Sequence, residues 1–227
     1  MSIIEQGDNP AIARRPRRTA GAFPGSGFLM AAFHLNDRRA TKKMPYDITE
    51  HRHRFAVWAA ARAAQRGFTT VRNLRDALQA TNIREVLSAP STLDLSAAQF
   101  DELHRRWCSA ICSSLIDRQI SKATYGRAAK LVAIYLKAIV VMGGGYNSSF
   151  ARHMHPPIDR ILLQSLATSD RITSPHKAAW RSTSWTQLDE GAYDRLIGQL
   201  RAAIPANAPF WMIEEYWEPS DSDDDAL

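Results

Sequence analysis

Apolar positions recur along this chain with a helical period, and no segment alternates with a period of two. "TEHRHRFAVWAAARAAQRG" predicts a helix with Thr49 as N-cap and Gly67 just past its end. "TVRNLRDALQA" places Val71, Leu74 and Leu78 at helical spacing. "SAAQFDELHRRWCSAICSSLIDRQ" opens with a capping box, Ser96 with Gln99, and aligns Phe100, Leu103, Trp107, Ile111 and Leu115 on one face. "TYGRAAKLVAIYLKAIVVMGGG" is apolar on most sides, which predicts a buried central helix that stops at Gly143 before a flexible loop, 143–150. In "HMHPPIDRILLQSL", Pro157 suits a first helical turn. Asp159 then falls in that turn, beside free backbone N–H groups and the positive end of the macrodipole. "TQLDEGAYDRLIGQLRAAI" and "PFWMIEEYW" complete the pattern. The expected fold is all-α, a compact multi-helix domain over residues 45–217.

The ends read differently. Residues 1–44 are rich in Gly, Pro, Ala and Arg without a sustained period, which predicts a disordered basic arm. Eight Lys/Arg against three acids give that arm +5. Residues 218–227, "EPSDSDDDAL", carry five acids and no base, which predicts a mobile acidic tail that shields a basic surface. The net charge of the whole chain is +6, so the segment between the ends is itself +6. A basic folded domain points to a polyanion, most commonly nucleic acid. No apolar run reaches about 18 residues without charge, so no membrane span is expected. The first thirty residues lack the order of a signal peptide. Two cysteines, Cys108 and Cys112, cannot form a disulfide framework and fit a reducing cytoplasm.

Several residues are candidates for chemistry. Lys130 and Lys137 lie seven apart, two turns along one helix face. A lysine in apolar surroundings loses stabilisation of its charge and moves toward nucleophilic use. The other reading is a snorkelling side chain with its head in water. His51, Phe55, Trp58 and Arg62 share a face that mixes aromatic and polar groups, as a base pocket or as plain core. His53 and Arg54 point elsewhere, toward a phosphate or a pocket rim. His104, Cys108 and Cys112 fall at i, i+4, i+8, but no fourth ligand is evident, so they read as core and no metal or other cofactor is expected. His153 and His155 flank the twin prolines and are candidates to contact a leaving base or a phosphate. Tyr146 and Asn147 are candidates for a wedge into DNA. Arg160 is a candidate phosphate contact. Trp180, Trp185, Phe210, Trp211 and Trp217 read as late core, with room for one exposed stacking ring.

"YGRAAKLVAIYLK", a Gly-rich loop and then "HPPIDRILL" resemble the active-site half of helix-hairpin-helix DNA glycosylases. The resemblance covers about forty residues. It implies that Asp159 is the essential carboxylate, and that Lys130, or else Lys137, is the amine that attacks the sugar in lyase-competent members. Tyr125 and Arg127, beside Gly126, would then face the DNA or its base. The chain departs from the family pattern in having one glycine where the hairpin has paired ones, a displaced lysine and a longer loop to the aspartate. Two cysteines exclude the four-cysteine iron–sulfur version. The implied activity is hydrolysis of the N-glycosidic bond of a damaged or modified base in double-stranded DNA, by a monomer. A base carried by invading phage DNA is one such substrate, which would make the role antiviral defence. A non-catalytic helical nucleic-acid-binding module and a helical interaction protein are the competing readings.

Overall fold

The computed structural model describes residues 46–88 and 93–218. The arm 1–44 and the tail beyond residue 218 lie outside them. Every element among the described residues is helical, as the periodicity predicts. In chain order they are α1 Ile48–Gln65, α2 Val71–Gln79, α3 Ile83–Val86, α4 Ala97–Asp117, α5 Tyr125–Leu136, α6 Ser149–His153, α7 Arg160–Thr168, α8 Lys177–Ser182 and α9 Glu190–Ala202. A π-type segment, Lys137–Gly145, continues α5, and two 3-10 turns cover Trp185–Gln187 and Phe210–Tyr216.

Side-chain caps start most of these helices, though not α3 or α8. Asp47, not Thr49, caps α1, accepting a hydrogen bond from the Thr49 N–H. Gly67 follows the end of α1 as expected, with φ 70°. The Ser96–Gln99 capping box forms in full, and Phe100, Trp107, Ile111 and Leu115 of α4 are buried. The helix through Lys137 does not stop at Gly143 but breaks at Gly144, at φ 94°. The expected loop after it contains a helix of its own, α6, because Ser148 caps it.

α5 is the central helix. It packs most extensively against α1, and α4 lies on it too. The face of α1 turned inward is Ala56, Val57, Ala60, Ala61 and Ala64, all buried. Small side chains let two helix backbones approach closely. Phe55 and Trp58, one reading of which was core, are instead about half exposed. By length and a mean hydropathy of 1.6, Tyr125–Gly145 passes for a membrane span, and half of that window is buried inside the fold.

A cluster of rings closes the core behind α5. His104 stacks on Tyr193 at 5.5 Å and 7° and lies 4.3 Å from His155. Cys108 Sγ sits 3.7 Å from the His104 ring. Tyr125 packs against Tyr193. His155 Nε2 lies 2.8 Å from Asp101 Oδ1 and Nδ1 lies 3.2 Å from the Tyr193 hydroxyl. These partners suit a neutral ring that donates to the carboxylate and accepts from the phenol. Arg201 grips the same carboxylate with two bonds of 2.6 Å. His155 and Tyr125 therefore serve the core and are not surface contacts for DNA: both are buried, and the His155 nitrogens already have partners there.

Gly126 lies in the first turn of α5, where α5 meets the 3-10 turn Trp185–Gln187. Its N–H donates to the Leu188 carbonyl at 2.9 Å, and the Thr124 hydroxyl donates to the Thr186 carbonyl at 2.9 Å. A Cβ at Gly126 would sit 2.0 Å from the Trp185 carbonyl oxygen. Gly126→Ala therefore forces two backbones apart. It is expected to cost about 2–4 kcal/mol, read as a lower midpoint in urea.

Burial holds the pKa of His53, His104 and His155 below 6.5. A depressed folded-state pKa means that protons bind the unfolded chain better, so stability falls as pH drops below about 6.5. For Asp101, burial pushes the pKa up, but hydrogen bonds from Arg201 and His155 outweigh it and hold the group well below 3.8. That contribution is present above pH 3.8 and is lost below it. Melting temperature should thus fall in two acid stages. Asp101→Asn should cost about 2–4 kcal/mol at neutral pH and flatten the lower stage.

Candidate active site

The turn of chain before α7 presents Asp159. Residues 154–158 are buried, which anchors the twin prolines, and Asp159 stands at the N-cap with extended backbone, φ −146° and ψ 179°. It is therefore the cap of α7 and not a first-turn residue, since the helix begins at Arg160. Its Oδ1 accepts the Leu162 N–H at 2.9 Å. Its Oδ2 accepts from Lys130 Nζ at 3.2 Å and from the Trp217 indole N–H at 3.2 Å.

Lys130 reaches Asp159 from the middle of α5. Its side chain is 10% exposed and that of Asp159 is 14% exposed. The ammonium also lies over the Trp185 ring, 4.6 Å from its centre. Burial lowers the pKa of Lys130, and the Asp159 charge only partly restores it. Lys137, one residue past the end of α5, pairs with Glu214 on the 3-10 turn Phe210–Tyr216. Burial raises the pKa of Glu214, against the pull of Lys137.

These groups share one cleft of about 430 Å³. Asp159, Lys130 and Lys137 line it together with Glu214 and Trp217, and Arg62, Arg66 and Arg160 stand at its wall. Five cationic side chains face two carboxylates there, so the cleft favours an anionic guest. The lysine pair and the acid, named from sequence as one constellation, are thus brought together, along with Arg62 and Arg160.

Other candidates lie elsewhere. His53 is buried in the core, with Nδ1 2.9 Å from the Tyr135 hydroxyl, so it reaches no phosphate. Arg127 is buried over the Phe68 ring at 4.2 Å, and its Nε and Nη1 find no partner among the described residues. It packs inside and does not face the cleft. Arg54 is exposed and pairs with Glu50 at 2.7 Å. His51, Trp58, Tyr146 and Asn147 are exposed but do not line the cleft. His153 is half-buried at the end of α6, also outside it.

Glu214, Trp217 and Trp185 were not singled out for chemistry from the sequence. All three come from the C-terminal third, read there as packing. The one signal was an acid pair, Glu214 and Glu215, inside an otherwise aromatic stretch. Compared with known proteins, the chain matches no family model, no curated protein and no solved structure.

The two members of the buried pair should differ in their effect on stability. Asp159→Ala removes a helix cap and leaves an ammonium with little water, a loss of about 3–5 kcal/mol. Lys130→Met leaves Asp159 with two donors and adds an apolar contact to Trp185, so it should cost less than about 1 kcal/mol. Urea unfolding of the two variants measures the difference.

Proposed function

We propose that this cleft cleaves the N-glycosidic bond of a damaged or modified base in DNA. The observation that carries the reading is the contact of Lys130 with Asp159 inside a cationic cleft. Breaking a C1′–N bond builds positive charge on the sugar. A fixed carboxylate at a helix N-cap opposes that charge without reorganising at the moment of reaction. The amine beside it has its pKa lowered by burial, which raises its free-base fraction at neutral pH. In the step proposed, the Lys130 lone pair attacks C1′ and the base departs with the electrons of the C1′–N bond. The proton lost by the amine passes to Asp159, and a proton from water or a nearby acid neutralises the leaving base. Arg62, Arg66 and Arg160 would grip flanking phosphates. This is the activity that the "YGRAAKLVAIYLK" and "HPPIDRILL" resemblance implies.

One observation favours the second reading, a non-catalytic nucleic-acid-binding module. Both oxygens of Asp159 are already engaged by groups of the chain itself. In that case the acid is only a cap and a counter-ion.

Asp159→Asn separates the two, because Asn caps a helix as well as Asp does but carries no charge. With duplexes bearing a panel of modified bases, the wild type should leave abasic sites, revealed by hot alkali. Asp159→Asn should lose about 10²-fold or more in rate with DNA binding retained. Borohydride should trap a protein–DNA adduct that disappears in Lys130→Met and persists in Lys137→Met. Trapping should increase with pH as Lys130 deprotonates, below its ordinary 10.5. Absence of abasic sites on every substrate, with binding intact, leaves the binding module.

A further inference from the structure

The outer face of α1 carries a second feature that the cleft chemistry does not use. His51, Phe55, Trp58 and Arg62 share this face, as their spacing requires, and all four are exposed. Phe55 is 52% and Trp58 54% exposed, and their ring centres lie 6.0 Å apart. Two large rings side by side in water are a cost that a folded chain ordinarily avoids by burial. The inward face of the same helix is made of four alanines, a valine and His53, so these rings are not needed for its packing.

The charge around the rings has one sign. Residues 51–66 contain four arginines and no acid, and all four arginines are exposed. The nearest acid, Glu50, is engaged by both Arg54 and Arg84. The face also leads somewhere. Arg62 and Gln65, at its C-terminal end, line the cleft that holds Lys130 and Asp159. From His51 to Arg62 the face runs about 16 Å at 1.5 Å per residue.

We infer that Phe55 and Trp58 form a stacking platform for the bases of single-stranded DNA adjoining the cleft. An unpaired strand offers π-faces to both rings and phosphates to the arginines beside them. A duplex keeps its bases stacked inward and could use only the charges. Neither a protein partner nor an anionic membrane surface explains why the rings share a helix face with Arg62, which lines the cleft. The inference goes beyond bond cleavage in duplex DNA and does not depend on it, since binding is measured without any reaction.

The test is fluorescence anisotropy with a labelled oligonucleotide of mixed sequence, single-stranded and as a duplex, bound by the full chain. Both rings are exposed, so Phe55→Ala and Trp58→Ala should fold normally, which circular dichroism checks. Each variant should bind the single strand about tenfold more weakly and the duplex unchanged. Trp58→Phe should recover most of the single-strand affinity. Single-strand affinity equal to wild type in both alanine variants overturns the proposal. So does an equal loss for the duplex. Loss of self-association or of binding to phosphatidylserine vesicles, with single-strand affinity kept, assigns the face to another partner and overturns it as well. Loss of single-strand affinity with base release unaltered, or absent throughout, leaves the platform standing whatever the cleft does.

Discussion

A lysine ammonium in the middle of the central helix has to meet a negative charge. Lys130 is 8% exposed as a residue, and α5 around it is apolar. An unpaired ammonium at such depth costs several kcal/mol. Asp159 answers it, and the consequences spread outward. The carboxylate can be there only if α7 starts at residue 160, and α7 starts there because the same carboxylate caps it. The buried turn of residues 154–158 fixes where that cap stands. Trp185 covers the other side of the ammonium, and it is held by the close approach of Gly126 to its carbonyl. A counter-ion, a cap, a proline turn and a glycine contact thus form one arrangement.

Local signals carried the helices well and the site partly. The Ser96–Gln99 box is a contact within four residues, so its spelling was enough. The sequence marks Asp159 as an acid at a helix start, yet it stands one step earlier, at the N-cap. Proline at residue 157 suits a first turn by its own geometry, yet tertiary burial of residues 154–158 keeps that stretch out of the helix. The partners of Glu214 and Trp217 are not legible in the sequence. Lys137 and Glu214 stand 77 positions apart, and no local pattern reports a partner at that distance.

The α1 helix shows why residue size misleads. Phe55 and Trp58 are its largest apolar side chains, and size suggests core. The interface with α5 instead selects alanine, because short side chains bring the backbones together and leave more atoms in contact. The aromatic residues are left on the outer side, about half exposed. His53 shows the reverse. It lies among exposed basic residues in sequence, yet it falls on the alanine side and must find the Tyr135 hydroxyl to stay buried.

The C-terminal 3-10 turn belongs to the site as much as α7 does. It supplies Glu214 to Lys137, and Trp217, the residue just past it, gives its indole N–H to Asp159. Two cations two turns apart on one helical run are therefore matched by groups from two other parts of the chain, the cap of α7 and this C-terminal stretch. Neither carboxylate is alike in its surroundings. Asp159 has three donors, one of them a backbone N–H, whereas Glu214 has a lysine and a burial cost that raises its pKa. The two acids of the cleft are thus not interchangeable: Asp159 is tied into the start of α7, whereas Glu214 is tied to the π-type segment through Lys137.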